Sequence, residues 1–311
     1  MELSKQEIVT NKPAHAPRPP LSVVVATTQP WPKLQGCMTS LYSQAKDAGA
    51  EIIVADSHGQ GLPDDSVTFP GVIWLKSLGA SIYQLRALAM AQARGEIVAL
   101  AEDHCQLGPD WCAGVLRAHQ EYPDVAVVGG AIENGATNSL IDWASFFYVN
   151  GHAMQPLGTR RTRQISQVNV AYKRRVVPAT VPQLGRMEFM LNETLGAQGE
   201  KLLVDDRITV NHIQSLGFLD TCKIRYHSSR SVGGFRLEQI GPLERGIRLA
   251  ACFVMPPILF FRAVFPLIGK PRLRGKLIMS LPLMALLVCI RSVGAFTGLV
   301  TGPRNSPQQI R

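Results

Sequence analysis

The chain has 311 residues, 46% of them apolar and 18% charged, with 32 Lys plus Arg against 23 Asp plus Glu. This length accommodates one large domain or two ordinary ones, and the apolar composition excludes a disordered chain, which needs low hydrophobicity and high net charge. The net charge of +9 is unevenly placed. Residues 221–311 carry 14 bases and two acids, Glu238 and Glu244, whereas residues 1–220 carry 18 bases against 21 acids. The basic segment is also the most hydrophobic, so its charge points to an anionic membrane surface and away from nucleic acid.

The six cysteines (37, 105, 112, 222, 252 and 289) include no Cys-x-x-Cys pair, and they are too sparse for a secreted disulfide framework. They read as free thiols in a reducing compartment. Residues 1–20 mix charges and then become Pro-rich, with no apolar run of export-signal type. A flexible tail on a cytoplasmic body is expected.

In chain order, Leu21–Ala26 is a β-branched apolar run that predicts a buried strand, and residues 33–48 place Leu34, Met38, Leu41 and Ala45 on one helical face. Strands follow at 51–56, 72–75 and 97–101, with a helix over 82–93 stopped by Gly95. This alternation predicts a parallel α/β sheet with right-handed crossovers. Sites in such sheets lie beyond the carboxyl ends of the strands, where Asp56 and Glu102-Asp103-His104 fall. Further on, 125–128 and 167–175 read as strands, 188–198 as a helix closed by Gly199, and 201–204 and 208–212 as two short strands. Two apolar blocks end the chain, 246–269 and 277–300, the first interrupted by Pro256-Pro257. Each has the length of a bilayer span. The turn between them holds Lys270, Arg272, Arg274 and Lys276, which opposes translocation and favours a hairpin lying in, or dipping into, the cytoplasmic interface.

Over residues 21–235 these features resemble family 2 glycosyltransferases with a GT-A fold. Ala26-Thr27-Thr28-Gln29 stands at the family's first-strand turn, and Glu51–Asp56 resembles the second strand ending in a base-contacting Asp. Arg86 matches the Arg of the helix ahead of the Gly-Glu strand start. Gly95-Glu96 to Glu102-Asp103-His104 matches the strand ending in D-x-D, with Glu and His at the two outer positions. Gln167 to Arg174 is similar to an Asn-x-Ala-x-Arg-Arg segment, and Glu188 takes the place of the second acid of the Glu-Asp motif.

The resemblance implies an inverting transfer of one sugar from a nucleotide-diphosphate sugar. Negative charge grows on the leaving oxygen, and a bound Mn²⁺ or Mg²⁺ stabilises it. Glu102 and His104 are the implied metal ligands, and imidazole suits Mn²⁺ better than Mg²⁺. Asp103 reads as a ligand or a ribose contact. Thr27, Asp56 and Arg86 are implied on the nucleotide-sugar, with an Asx-turn the alternative for Asp56 and a surface helix position the alternative for Arg86. Glu188 is the implied general base, with Glu193 its competitor. Asn169 and Arg174 fall on the acceptor side. His212 reads either as a metal or phosphate ligand or as a structural histidine.

No P-loop and no Gly-x-Gly-x-x-Gly fingerprint occurs. Gln-x-x-Arg-Trp of processive synthases is also absent, which favours single-sugar transfer. The expected organisation is a tail (1–20), a GT-A domain (21–235), a basic apolar helical hairpin (236–303) and a C-terminal tail (304–311). The expected partners are a nucleotide-sugar donor, a lipid-linked or glycan acceptor and the cytoplasmic face of the cell membrane. A non-catalytic GT-A-like membrane module that binds a glycan or nucleotide is the alternative.

Overall fold

The computed structural model describes residues 7–9, 17–58, 69–163, 165–177, 188–237 and 239–310. These divide into two compact units, one from residues 1–133 and 155–213, the other from 134–154 and 214–311.

The first unit is built on a mixed sheet of ten strands among the described residues: β1 (Glu7–Val9), β2 (Leu21–Thr27), β3 (Glu51–Asp56), β4 (Ile73–Lys76), β5 (Ile97–Glu102), β6 (Cys105–Leu107), β7 (Val125–Asn134), β8 (Arg160–Thr162), β9 (Asn169–Lys173) and β10 (Lys201–His212). The spatial order is β1-β4-β3-β2-β5-β9-β7-β10-β6, with β8 against β10. β2, β3, β4 and β5 are mutually parallel where they pair, whereas β9 runs antiparallel to both β5 and β7. The parallel expectation therefore holds for the first half, and the second half turns antiparallel. β2 and β3 are buried along their whole length, which is why they read as continuous apolar runs without alternation. Among the described residues, helices α1 (Trp31–Asp47), α2 (Ile82–Gln92), α3 (Trp111–Glu121) and α5 (Glu188–Ala197) belong to this unit.

Two details fix the register of the parallel strands. At their amino ends, Ser22 Oγ donates to Glu51 Oε1 at 2.6 Å and accepts from Gly95 N–H at 2.7 Å. A Cβ on Gly95 would lie 2.5 Å from Ser22 N, so only glycine permits this approach. At their carboxyl ends, Thr27 stands opposite Asp56 and Ala26 opposite Glu102. Three adjacent strands thus deliver Asp56, Thr27 and Glu102 to one edge.

Some elements differ from the sequence reading. Glu7–Val9, within the stretch read as a tail, pairs with β4 as an edge strand. β10 is one strand of twelve residues, not two short ones. The Asp205-Asp206-Arg207 charges between the two expected strands are satisfied in place: Asp205, 1% exposed, pairs with Arg207 at 2.6 Å, and Asp206 accepts from Gly158 N–H at 2.9 Å.

The second unit is helical, with α4 (Leu140–Asn150), α6 (Phe218–Leu237), α7 (Pro242–Ile268) and α8 (Arg274–Thr301). α7 continues through Pro256-Pro257, which the sequence suggested would interrupt it. α7 and α8 form an antiparallel apolar hairpin, with Arg245 donating to the Val300 carbonyl and Phe253 meeting Phe296. α6 and α8 touch through glycines. Cβ atoms built on Gly294 and Gly298 would lie 2.4 Å from Tyr226 O and 2.2 Å from Arg230 O.

The close contact of β7 with β10 supplies a stability test. A Cβ on Gly130 would meet Ile208 O at 2.1 Å and Asn169 Nδ2 at 2.2 Å. Gly130→Ala should therefore destabilise the fold by roughly 1–3 kcal/mol. Gly196→Ala in α5, with open space around the added carbon, should be neutral or stabilising by up to about 1 kcal/mol. Urea denaturation of the two variants checks the contrast.

Candidate metal centre

β5 ends at Glu102, and the chain turns through Asp103 and His104 into β6. β6 pairs with β10 so that Cys105 faces His212, and Ile213 N–H donates to the His104 carbonyl at 2.8 Å. This register brings three donor atoms together. His104 Nε2 lies 3.2 Å from Glu102 Oε2 and 3.0 Å from His212 Nε2, and His212 Nε2 lies 3.5 Å from the same Glu102 oxygen. Ligand bonds of about 2.0–2.2 Å place adjacent donors of an octahedral ion about 2.8–3.1 Å apart. The 3.0 Å separation falls within that range and the 3.2 and 3.5 Å separations lie just beyond it, so the three atoms could meet one ion after a small inward adjustment.

The surrounding residues aim these donors. Arg86, 6% exposed on α2, donates to Glu102 Oε1 at 2.8 Å, leaving Oε2 toward the histidines. A capping box between Ser81 and Gln84 fixes the start of α2. Asp103 Oδ1 lies 2.6 Å from His104 Nδ1, and Asp103 Oδ2 accepts from the Thr27 hydroxyl at 2.7 Å. This pairing keeps the His104 proton on Nδ1 and presents Nε2 as a ligand, as a carboxylate–histidine–metal arrangement requires. Beside Thr27, the Thr28 hydroxyl is buried without a hydrogen-bond partner in the structure.

The charges are mutually compensating. Burial alone would raise Glu102, but hydrogen bonds from His104 and His212 and the Arg86 charge hold its carboxyl well below the usual carboxylate range. Burial likewise opposes charge on His104, yet its bonds to Asp103 and Glu102 prevail and raise it to about 10. The Cys37 and Cys105 thiols are pushed up as well, by burial and then by the nearby acids. They stay as thiols, outside the donor set.

The other sequence-derived residues are placed as follows. Asp56, 2% exposed, ends β3 and accepts from His58 N–H at 2.7 Å, an Asx-turn bond. Asn169 opposes Ala101 near the carboxyl end of β5 but is turned inward. It accepts from Trp111 Nε1 at 2.9 Å and donates to the Ala131 and Ile208 carbonyls. Arg174 follows β9 at the opposite end of β5, where its N–H donates to the Glu96 carbonyl, and it is not brought to the cluster. Glu188 opens α5, and its side chain lies outside the described residues. Glu193 is exposed on the same helix. The residue that sequence reasoning left undecided is His212. Only the continuity of β10 and its pairing with β6 carry it to His104.

No family model matches the chain, and no curated protein matches it in sequence. Among solved structures, it is similar to a mannosyltransferase from Pyrobaculum calidifontis in complex with GDP-mannose and Mn²⁺. That match has 15% identity and a TM-score of 0.54, covering 92% of this chain and 90% of that one. It is also similar to residues 1–349 of TarS from S. aureus, with 12% identity and a TM-score of 0.46 over 89% and 90% of the two chains. The chain thus has a GT-A glycosyltransferase fold, followed by a C-terminal pair of apolar helices.

Two predictions follow from the geometry. Mn²⁺ titration followed by electron paramagnetic resonance should show binding lost in His104→Ala and His212→Ala, and weakened about 10–100-fold in Asp103→Ala. In metal-free protein, the raised pKa of His104 contributes stability that is complete below pH 6.5 and is lost as pH rises through about 10. Metal displaces that proton, so Mn²⁺ affinity should rise with pH over the same window, and saturating Mn²⁺ should suppress the alkaline loss of melting temperature.

Proposed function

We propose that the protein is an inverting glycosyltransferase that moves one sugar from a nucleotide-diphosphate sugar to a membrane-borne hydroxyl. The observation that carries this reading is the Glu102, His104 and His212 triad at the carboxyl edge of a GT-A sheet, beside Thr27 and Asp56. The P. calidifontis mannosyltransferase was solved with GDP-mannose and Mn²⁺, which supports the same donor class and ion here. Two imidazoles in the donor set favour Mn²⁺ over Mg²⁺. When bound, the ion supplies compensation for the charge that develops on the diphosphate leaving group.

The chain's own residues divide the remaining work. Asp56, at the end of β3, is the acid that accepts a hydrogen bond from the nucleotide base. Thr27 and Asp103 hold His104, and Arg86 holds Glu102, so the donor set needs little rearrangement before substrate arrives. Glu188, at the first turn of α5, removes the proton of the acceptor hydroxyl as its oxygen attacks the anomeric carbon opposite the diphosphate. The Tyr172 hydroxyl, donating to Asn192 at 3.0 Å, ties α5 to β9.

The membrane reading rests on the helical hairpin. α7 and α8 are both long and apolar enough to cross a bilayer, and α7 exposes Leu243, Ile247, Val254, Ile258, Phe261 and Phe265 along one side. Arginines divide these helices. Residues 249–261 of α7 and 277–290 of α8 are their longest uncharged stretches, 13 and 14 residues or roughly 20 Å each. A full span needs about 30 Å. The lengths favour helices lying in the cytoplasmic interface or re-entering from it. Of the four turn cations, Lys270 is buried and donates to the Met154 carbonyl. Arg272, Arg274 and Lys276 are the exposed ones.

Purified full-length protein given a panel of nucleotide-diphosphate sugars should release nucleoside diphosphate with one of them in the presence of Mn²⁺, and much less with Mg²⁺. Glu188→Gln should slow that turnover by about 10²-fold or more with donor affinity unchanged. Donor binding without turnover under every condition would replace this reading with that of a binding module. Vesicle flotation tests attachment: changing Arg272, Arg274 and Lys276 together to Gln should weaken association with anionic vesicles, at about 1 kcal/mol per cation.

A further inference from the structure

The helical unit carries fourteen Lys and Arg against four acids, Asp142, Asp220, Glu238 and Glu244. Three of the acids are engaged locally. Asp142 accepts from the Ser215 hydroxyl at 3.1 Å, Asp220 pairs with Lys223 at 3.6 Å, and Glu244 pairs with Arg248 at 2.7 Å. Glu238 lies outside the described residues.

Within α8, Arg291 is the sole charge between Lys276 and the helix end at Thr301. It is half-buried, and among the described residues no carboxylate pairs with it. Its Nη1 instead donates to the Tyr148 hydroxyl of α4 at 3.1 Å. Arg225, from α6, sets its guanidinium over the same ring, 5.5 Å from the centroid. Two cations from separate helices therefore converge on one neutral phenol, and all three side chains are only partly buried. A guanidinium held in an apolar helix calls for an anion. Two guanidinium forks match the oxygens of a phosphate. The Tyr148 oxygen accepts from Arg291, which leaves the phenol hydrogen as a further donor to the same anion.

We propose that Arg225, Arg291 and Tyr148 form a binding site for the phosphate group of an anionic lipid. The choice of a lipid over free phosphate rests on the membrane attachment proposed above, because α8, which carries Arg291, exposes Ile278, Met279, Leu286, Val293 and Phe296. Basic pockets between apolar helices recognise lipid head groups by this chemistry. The site is distinct from the turn cations, which attract an anionic surface without defined stoichiometry.

Dihexanoyl phosphatidic acid, a water-soluble lipid, tests the site on detergent-solubilised full-length protein by calorimetric titration. The expected result is saturable binding of one lipid per chain, weakened at least tenfold in Arg291→Gln and in Arg225→Gln. Arg291→Lys should recover part of the loss, Tyr148→Phe should cost a smaller factor, and Arg304→Gln, at an exposed position after α8, should leave binding unchanged. Circular dichroism melting of each variant confirms that the fold persists, and the Lys variant keeps the charge if Gln does not fold. Wild-type binding by Arg291→Gln, equal losses in Arg304→Gln, or equally tight binding of inorganic phosphate would each overturn the proposal. Flotation with phosphatidylcholine vesicles reports on attachment separately, so a failed attachment and a failed site give different results.

Discussion

The hydrogen bond between Asp103 and His104 is the contact on which the candidate site depends. β5 delivers two adjacent carboxylates, Glu102 and Asp103, to a largely buried edge, where like charges repel and both lose hydration. Each is stabilised by a different device. Glu102 takes a charged partner in Arg86, and Asp103 takes the His104 Nδ1 and the Thr27 hydroxyl. Because Asp103 occupies Nδ1, the His104 ring can only turn Nε2 toward Glu102 and His212. Other features of the unit serve this arrangement: the capping box that starts α2, the strand register that sets Thr27 beside β5, and the length of β10.

The departure from D-x-D is therefore coherent. Histidine in place of the third-position acid removes one negative charge from a crowded edge, and a second histidine from β10 joins the group that could hold an ion. Two imidazoles and one carboxylate carry less charge than three carboxylates, which shifts the preference from hard Mg²⁺ toward a transition ion. The Glu in place of the first Asp is one carbon longer. That length allows one oxygen to reach Arg86 while the other faces the histidines.

Much of the parallel half was legible because its strands are buried on both faces and so read as unbroken apolar runs, and because Gly95 marks the start of β5. The site positions at strand ends followed from the same pattern. The antiparallel half was harder. β6 and β8 are three residues each, too short for periodicity to register, and the charges inside β10 mimicked a turn until their partners were visible. The sequence patterns of Asn169 and Arg174 matched a motif, but pattern does not report direction. The antiparallel course of β9 carries Arg174 away from the Glu102 end of β5, and the needs of Trp111 and two carbonyls turn Asn169 inward. His212 belonged to no local motif at all, because its partners are more than a hundred residues away in sequence.

The helical unit distributes its side chains in a way that argues for its surroundings. A helix pair in water gains most by burying large apolar side chains and leaving small ones outside. Here the buried residues of α6 are Thr221, Ser229, Ser231, Gly233 and Gly234, and of these Ser229 approaches Gly294, Gly234 approaches Gly298 and Gly233 approaches Ala295 of α8. Meanwhile Phe253, Phe261 and Phe265 of α7 are each more than two-thirds exposed. α8 also buries Leu277, Met284, Leu287 and Val288, so the pattern of small residues inside and large ones outside belongs to the α6–α8 seam and the outer face of α7, and close backbone packing favours it once the outer medium is itself apolar. In that medium a cation such as Arg291 has poor access to water. The Tyr148 hydroxyl alone leaves its charge uncompensated, and a phosphate supplied by the same medium would balance it.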